Sequence, residues 1–599
     1  MARPCLPPVI VYPMDNTDPG WRGGALRRFL PFLHWWPEVN ALTLKNDLLA
    51  GLTVALVAIP QSLAYAQLAG VPAYYGLYAT LIPVIIGALF GSSRLLSTGP
   101  VAMTSLLTAA SIMPLATYGT EQFYSYVILM ALLSGLFQIG LGLARMGVLL
   151  NFLSYPVLRG FINAAAIIIG LSQLPAMVGL SLKNSQHFLT DVLHVIENLD
   201  AMHTESLFFG LGSLILMALL KKFAPRLPGV LITVALATFI SYLIGFEALG
   251  GRIVGAIPEG LPHFSVPPMD WKASMSMLPT AFVIALISFM EAMSSCKIIA
   301  IKTRTQWNEN QELIGQGLAK VAAAFSQSMP VSGSFSRSAL NLASDAKTGM
   351  SSIFTALMVL LTLLFFTPLL HELPKPVLAA IIMMAVFSLI NVRTIKEAWV
   401  AAKPDGIAAI VTFVATLAFA PNIQNGILTG IILSLTLFLF RTMKPRIVLL
   451  GLDKDGTLRN AERFHLPKFH PWVTAIRFDG QLYFANVSYF EESILYLVSH
   501  DPDLKYILVV ASGINGLDAS GVEMLQHLMD RLKQNSITMA FCEIKGSVTD
   551  VMQRTGLLDK IGAQNIFLSE KEALAEIGKR VGLGTGTASG SVSPPDAVT

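Results

Sequence analysis

The sequence predicts a polytopic α-helical membrane protein followed by a small α/β domain, and three observations lead there. Of 599 residues, 54% are apolar and only 13% charged, where soluble proteins are roughly a quarter charged. Fourteen apolar runs follow one another between residues 47 and 440, most of them near the roughly 20 residues that cross the hydrocarbon. After about residue 445 charges return and the apolar runs shorten to strand length.

Residues 1–44 are Pro-rich and then basic, with no apolar core before a cleavage site. They read as a cytoplasmic lead-in and not as a signal peptide. Arg22, Arg27, Arg28 and Lys45 precede the first span, about 47–68, which is expected to break at Pro60-Gln61-Ser62. Gly70-Val71-Pro72 turns the chain and 73–91 returns. Ser97-Thr98-Gly99-Pro100 then opens a short helix, 101–114. Further runs fall at 122–144, 152–180, 205–223, 229–248, 276–297, 310–326, 336–346, 351–370, 375–391, 405–420 and 424–440.

The short run at 336–346 follows a break, Met329-Pro330-Val331-Ser332-Gly333, and starts with Ser334-Phe335-Ser336-Arg337. A helix that begins inside a membrane aims free N–H donors and its positive dipole end at whatever lies there. Arg337 adds a full charge, so the device suits an anion. The bland alternative is an arginine that caps a loop or snorkels to the head groups.

Loop charges test the span count. With the N-terminus inside, the inner loops between Arg94 and Lys403 carry twelve basic residues, and the outer loops carry four, Lys183, Arg252, Lys272 and Lys375. That bias supports an even number of spans and two cytoplasmic termini. The two half-helices are third and tenth, seven spans apart. An odd separation gives them opposite orientations, which points to 7+7 inverted repeats with a site between them.

The cytoplasmic domain is expected at 460–582. Strands at 472–478 and 482–484 flank a turn at Asp479-Gly480, and further strands at 506–510 and 537–541 alternate with helices at 489–499, 519–533 and 546–556. Residues 583–599, rich in Gly, Ser, Thr and Pro, read as a disordered tail. Cys5, Cys296 and Cys542 have no metal-ligand spacing. His187, His203 and His371 fall in outer loops and read as surface residues. No Walker loop is present, and nothing calls for a cofactor, a metal or nucleic acid.

Several motifs together resemble the sulfate permease (SulP) family of anion transporters, over about 40–580. They are Ile59-Pro60-Gln61-Ser62-Leu63-Ala64-Tyr65-Ala66, Pro72 to Tyr78 with Phe90-Gly91-Ser92-Ser93-Arg94, and Gly333 to Asn341. Asp479 to Asn486 and Gly516 to Gly521 resemble a STAS domain. The resemblance implies a core and a gate domain, one anion between the third and tenth spans, an elevator-like motion and a homodimer in the plasma membrane. It assigns Gln61, Tyr65, Val101, Ser336 and Arg337 to substrate. The position of Val101 is often aromatic in animal relatives. Ser520 matches a serine phosphorylated in anti-sigma-factor antagonists, with a plain helix cap as the alternative. Ala511-Ser512 departs from the Asp-Ser type of pair expected before it.

Glu291 is the second candidate, alone in the apolar stretch Ile284 to Ser295. A carboxylate there costs about 3 kcal/mol or more unless a proton, a cation or Arg337 neutralises it. By resemblance an acid here couples transport to a proton or to sodium. Phe289, Met290, Ala292 and Met293 offer few oxygen ligands, which favours the proton. The expected function is therefore proton-coupled sulfate uptake, with bicarbonate or a C4-dicarboxylate such as succinate as alternative substrates. Readings from other classes are an uncoupled anion channel and a membrane-tethered scaffold whose STAS domain binds a cytosolic protein.

Overall fold

The computed structural model describes residues 30–147, 154–180, 188–224, 227–258, 260–267 and 269–582. Expectations for Cys5, the arginines before residue 30, Lys183, His187, Arg226 and the tail 583–599 lie outside the described residues. The chain divides into two compact units between Ser434 and Leu435.

Every apolar run carries a helix: α1 Ala41–Ala69, α2 Tyr74–Phe90, α3 Ala102–Ile112, α4 Glu121–Leu143, α5 Tyr155–Met177, α6 Thr204–Phe223, α7 Gly229–Ile244, α8 Trp271–Thr303, α9 Glu309–Phe325, α10 Phe335–Ala343, α11 Met350–His371, α12 Lys375–Phe387, α13 Lys403–Phe419 and α14 Ile423–Met443. Eight helices among the described residues are long and apolar enough to cross a membrane, and α2, α3 and α7 are shorter apolar helices. A further helix, Val392–Ala401, has no buried residue. It lies where only an inner loop is expected.

Asn40 starts α1 with a capping box: its Oδ1 accepts from Leu42 and Thr43 N–H, and Thr43 Oγ1 accepts from Asn40 N–H. The break expected at Pro60 is absent, since α1 runs unbroken through it. Proline removes one intrahelical bond, but α2 packs against this stretch so closely that a Cβ on Gly76 would overlap the Ser62 carbonyl. Neighbouring helices hold such a segment helical in a membrane protein.

Helix contacts come in matched sets. α4 packs on α9 and α11 on α2; α4 on α8 and α11 on α1; α3 crosses α8 and α10 crosses α1; α5 lies on α13 and α12 on α6. Glycines allow the closest of these: a Cβ on Gly135 of α4 or on Gly317 of α9 would lie 2.8 Å from the other glycine's carbonyl. Small residues let backbones approach in this way where lipid gives no hydrophobic drive.

The second unit is a sheet of order β4-β3-β5-β6-β8-β9, with β7 on β5. The strands are β3 Arg446–Leu452, β4 Leu458–Asn460, β5 Val473–Leu482, β6 Tyr506–Val510, β7 Ile514–Leu517, β8 Thr538–Cys542 and β9 Ile566–Phe567. Strands β5, β6, β8 and β9 are parallel, and β3 runs antiparallel to both β4 and β5. Side chains alternate across the sheet. Ile507 and Val509 enter one core with Phe490, Leu525 and Leu528, while Leu508 and Val510 enter the other with Leu574 and Ile577. The turn expected at Asp479-Gly480 is not a turn. β5 continues through it because β3 and β7 supply its partners, Arg446 opposite Asp479 and Ile514 opposite Gly480.

Candidate functional site

Thr98–Gly99 and Ser332–Gly333 form two short strands, β1 and β2, that pair antiparallel with Thr98 opposite Gly333 and Gly99 opposite Ser332. Each leads into a short helix, β1 into α3 and β2 into α10. Ser334 N–H donates to the Ser97 carbonyl at 2.8 Å, and Ser97 N–H donates to Ser338 Oγ at 2.9 Å. The ladder satisfies backbone groups that two broken helices would leave bare in lipid. It also brings the two helix starts together.

Val101, the N-cap of α3, is extended and supplies no side-chain acceptor, so no side chain caps that first turn. At α10 Ser334 Oγ accepts from Arg337 N–H at 3.4 Å. Arg337 is 1% exposed. Its Nη1 donates to the Pro100 carbonyl at 3.0 Å, while Nη2 is buried with no partner among the described residues. A guanidinium presents a planar fork suited to two oxygens. Here one edge is anchored and a nitrogen on the other is bare.

Gln61 and Tyr65 lie four residues apart on one face of α1, and both are buried. Gln61 Oε1 also lacks a partner among the described residues. Tyr65 lies within electrostatic reach of both Arg337 and Glu291. Ser336 differs from these: it is exposed, with its hydroxyl 3.4 Å from Ser334 Oγ.

Glu291 is partly exposed and forms no ion pair within 4.0 Å among the described residues. Ser332 Oγ lies 2.8 Å from the Ser288 carbonyl and 3.2 Å from Glu291 Oε2. A hydroxyl has one proton to give. If Ser332 donates to the carbonyl, the bond to Glu291 is completed only when the carboxyl carries a proton and donates to Ser332.

Sequence reasoning missed the polar residues behind these. Lys320 on α9 is fully buried and donates to Gln138 Oε1 on α4, at 2.9 Å, and to Ser288 Oγ on α8. Gln138 Nε2 also donates to the Ala285 carbonyl at 2.8 Å. Glu312, buried on α9, accepts from Ser92 and Ser93 N–H and from Gln316 Nε2, which also reaches Thr98 Oγ1 at 2.9 Å. A lone lysine in the run 317–325 was a visible signal. Its partners lie on other helices.

Outside this cluster, His203 is not a plain surface residue. It caps α6 through Ser206 N–H, and its Nε2 meets the Leu249 carbonyl at 2.9 Å. Ser520 does not cap its helix, Ala519–Gln534. Asp518 does, accepting Gly521 N–H at 2.8 Å and also holding Phe484 N–H at 2.9 Å.

Residues 44–414 match the sulfate permease family. The chain belongs to that family. Residues 467–573 match the STAS domain. A probable sulfate transporter of Arabidopsis thaliana is 33% identical over 549 residues, covering 88% of this chain and 80% of the relative. A probable sulfate transporter of Mycobacterium tuberculosis is 30% identical over 566 residues, covering 94% and 99%. The fold is that of SLC26A9, with a TM-score of 0.85 at 22% identity over 93% of this chain and 94% of that one. The transmembrane domain of a cyanobacterial bicarbonate transporter, BicA, aligns with a TM-score of 0.56 at 24% identity, over 66% of this chain and 98% of its own. The family is one of transporters and not of enzymes, and this member is a membrane protein.

Proposed function

We propose that the chain is a secondary active transporter of a small oxyanion, with sulfate taken up together with protons as the leading reading. One observation carries it: the Arg337 guanidinium is buried where two helix starts meet, with Nη2 unpartnered among the described residues. A buried donor without an acceptor costs about 1–3 kcal/mol, more when charged, and an anion seated there removes that cost. The bare N–H groups of α3 and the α10 dipole add to the attraction. Gln61, Tyr65, Val101 and Ser336 are assigned to the rim of this site. Two relatives named as probable sulfate transporters support sulfate, while the likeness to BicA keeps bicarbonate as the alternative.

Fourteen spans in two inverted repeats fit the packing. Adding seven to each helix number turns the contact of α4 with α8 into that of α11 with α1, and α3 with α8 into α10 with α1. In this reading α1–α4 and α8–α11 form the moving core, and α5–α7 and α12–α14 the gate. Proton coupling rests on Glu291, whose protonation completes the hydrogen bonds of Ser332.

The test is uptake of labelled sulfate, bicarbonate and succinate into proteoliposomes under proton and then sodium gradients. Proton-driven sulfate uptake abolished by Arg337→Ala is the expected result. Movement of another anion alone would change the substrate and keep the site. Absence of saturable uptake of all three would favour a channel or a scaffold.

A further inference from the structure

We propose that the ammonium of Lys320 is a tethered cation: from within the chain it fills the place beside Glu291 that a coupling metal ion would take, and so restricts the co-transported ion to the proton. This rests on the transport reading above.

The residue is an unusual thing to bury. Lys320 is 0% exposed, and burying a charge is costly unless other groups compensate it. No carboxylate lies within 4.0 Å of it among the described residues. Its partners are neutral oxygens, Gln138 Oε1 and Ser288 Oγ. Gln138 is itself oriented by donating to Ala285 O and to Ser288 Oγ, at 2.8 and 3.0 Å. Neutral oxygens are the kind of ligand a hard metal cation selects, and a lysine head is a compact charge of the same sign.

The oxygens lead directly to Glu291. Ser288 precedes it by one helical turn, and the Ser288 carbonyl shares Ser332 Oγ with the Glu291 carboxyl. The charged and titratable groups within electrostatic reach of Glu291 come from three other helices: Lys320 on α9, Arg337 on α10 and Tyr65 on α1. When Lys320 carries its proton alongside the positive Arg337, the pocket carries two charges with Glu291 protonated and one with it ionised. A divalent anion is therefore bound best with the proton, which is the condition for symport. Remove Lys320 and the protonated pocket carries one charge, leaving the oxygens open to an external cation that restores the second.

The experiment uses the full chain, wild type, Lys320→Ala and Lys320→Arg. Uptake of labelled sulfate into proteoliposomes is followed under an imposed proton gradient and then a sodium gradient. Thermal unfolding of the detergent-solubilised protein is followed in sodium chloride and in choline chloride. Wild type and Lys320→Arg are expected to ignore sodium in both assays. Lys320→Ala is expected to melt higher in sodium than in choline and to show uptake stimulated several-fold by sodium. Should Lys320→Ala be recovered folded only when purified in sodium, the proposal is also supported. Sodium-driven uptake by the wild type overturns it. So does a Lys320→Ala protein whose folding, melting and uptake are all indifferent to sodium. If the wild type moves no sulfate, the sulfate reading fails, and the melting comparison still decides the cation site.

Discussion

Gly99 makes the room that Arg337 occupies. A Cβ on Gly99 would lie 2.9 Å from Arg337 Nη2, and the backbone at Gly99 has φ of +153°, which L side chains rarely adopt. The β1 strand thus keeps a glycine where the guanidinium of the other half-helix comes to rest.

Gly99→Ala should therefore displace the guanidinium as well as strain the backbone. The expected result is folded protein with sulfate uptake reduced at least about tenfold, since about 1.4 kcal/mol of lost anion binding suffices for that. Uptake per reconstituted protein, with a melting curve as the control, checks it.

Arg337→Lys keeps the charge and loses the fork. A lysine cannot hold the Pro100 carbonyl and present a flat second edge together. Uptake should fall strongly in Arg337→Lys and vanish in Arg337→Ala, while neither variant shifts the melting temperature of the second unit.

Glu291→Gln removes the titrating proton but keeps a donor for Ser332. Loss of proton-driven uptake with retained anion exchange is expected, together with a flat pH profile. Full uptake with the wild-type pH dependence would remove Glu291 from coupling.

Asp47 is a structural counterpart to these. It is buried, and its Oδ1 accepts from Lys347 and Thr348 N–H at 2.7 and 3.1 Å, while Oδ2 accepts from Thr348 Oγ1. This ties α1 to the loop before α11. Asp47→Ala should cost about 2–4 kcal/mol, because charged hydrogen bonds are lost and buried donors are left bare. Asp47→Asn, which keeps an acceptor, should cost less. Thermal unfolding of the solubilised chain separates the two.

In the second unit Asp518→Ala should lower stability by about 1–2 kcal/mol through the lost cap. Ser520→Ala, which leaves that cap intact, should stay within about 0.5 kcal/mol. Denaturant unfolding followed by signals from this unit checks the pair.

The legible features were those carried by local pattern. Apolar runs placed the helices α1–α14, since apolarity over helical length is a property of consecutive residues, while Val392–Ala401, with no buried residue, was not legible in that way. Arg337 and Glu291 stood out because a charge in an apolar run is visible without any partner. Pro60 misled the reading of α1, because a proline's effect depends on what packs around it. Asp479-Gly480 misled the reading of β5 in the same way, its strand being completed by β3 and β7.

Composition, the half-helix starts and the two lone charges were thus determined by the sequence alone. Tertiary structure decided what those charges face. Ser332 meets Glu291 across 41 residues, Lys320 meets Gln138 across 182, and Arg337 meets Pro100 across 237. Such partners are chosen by how helices cross, and helix crossing depends on small residues and shape over the whole bundle, which no short window of sequence contains.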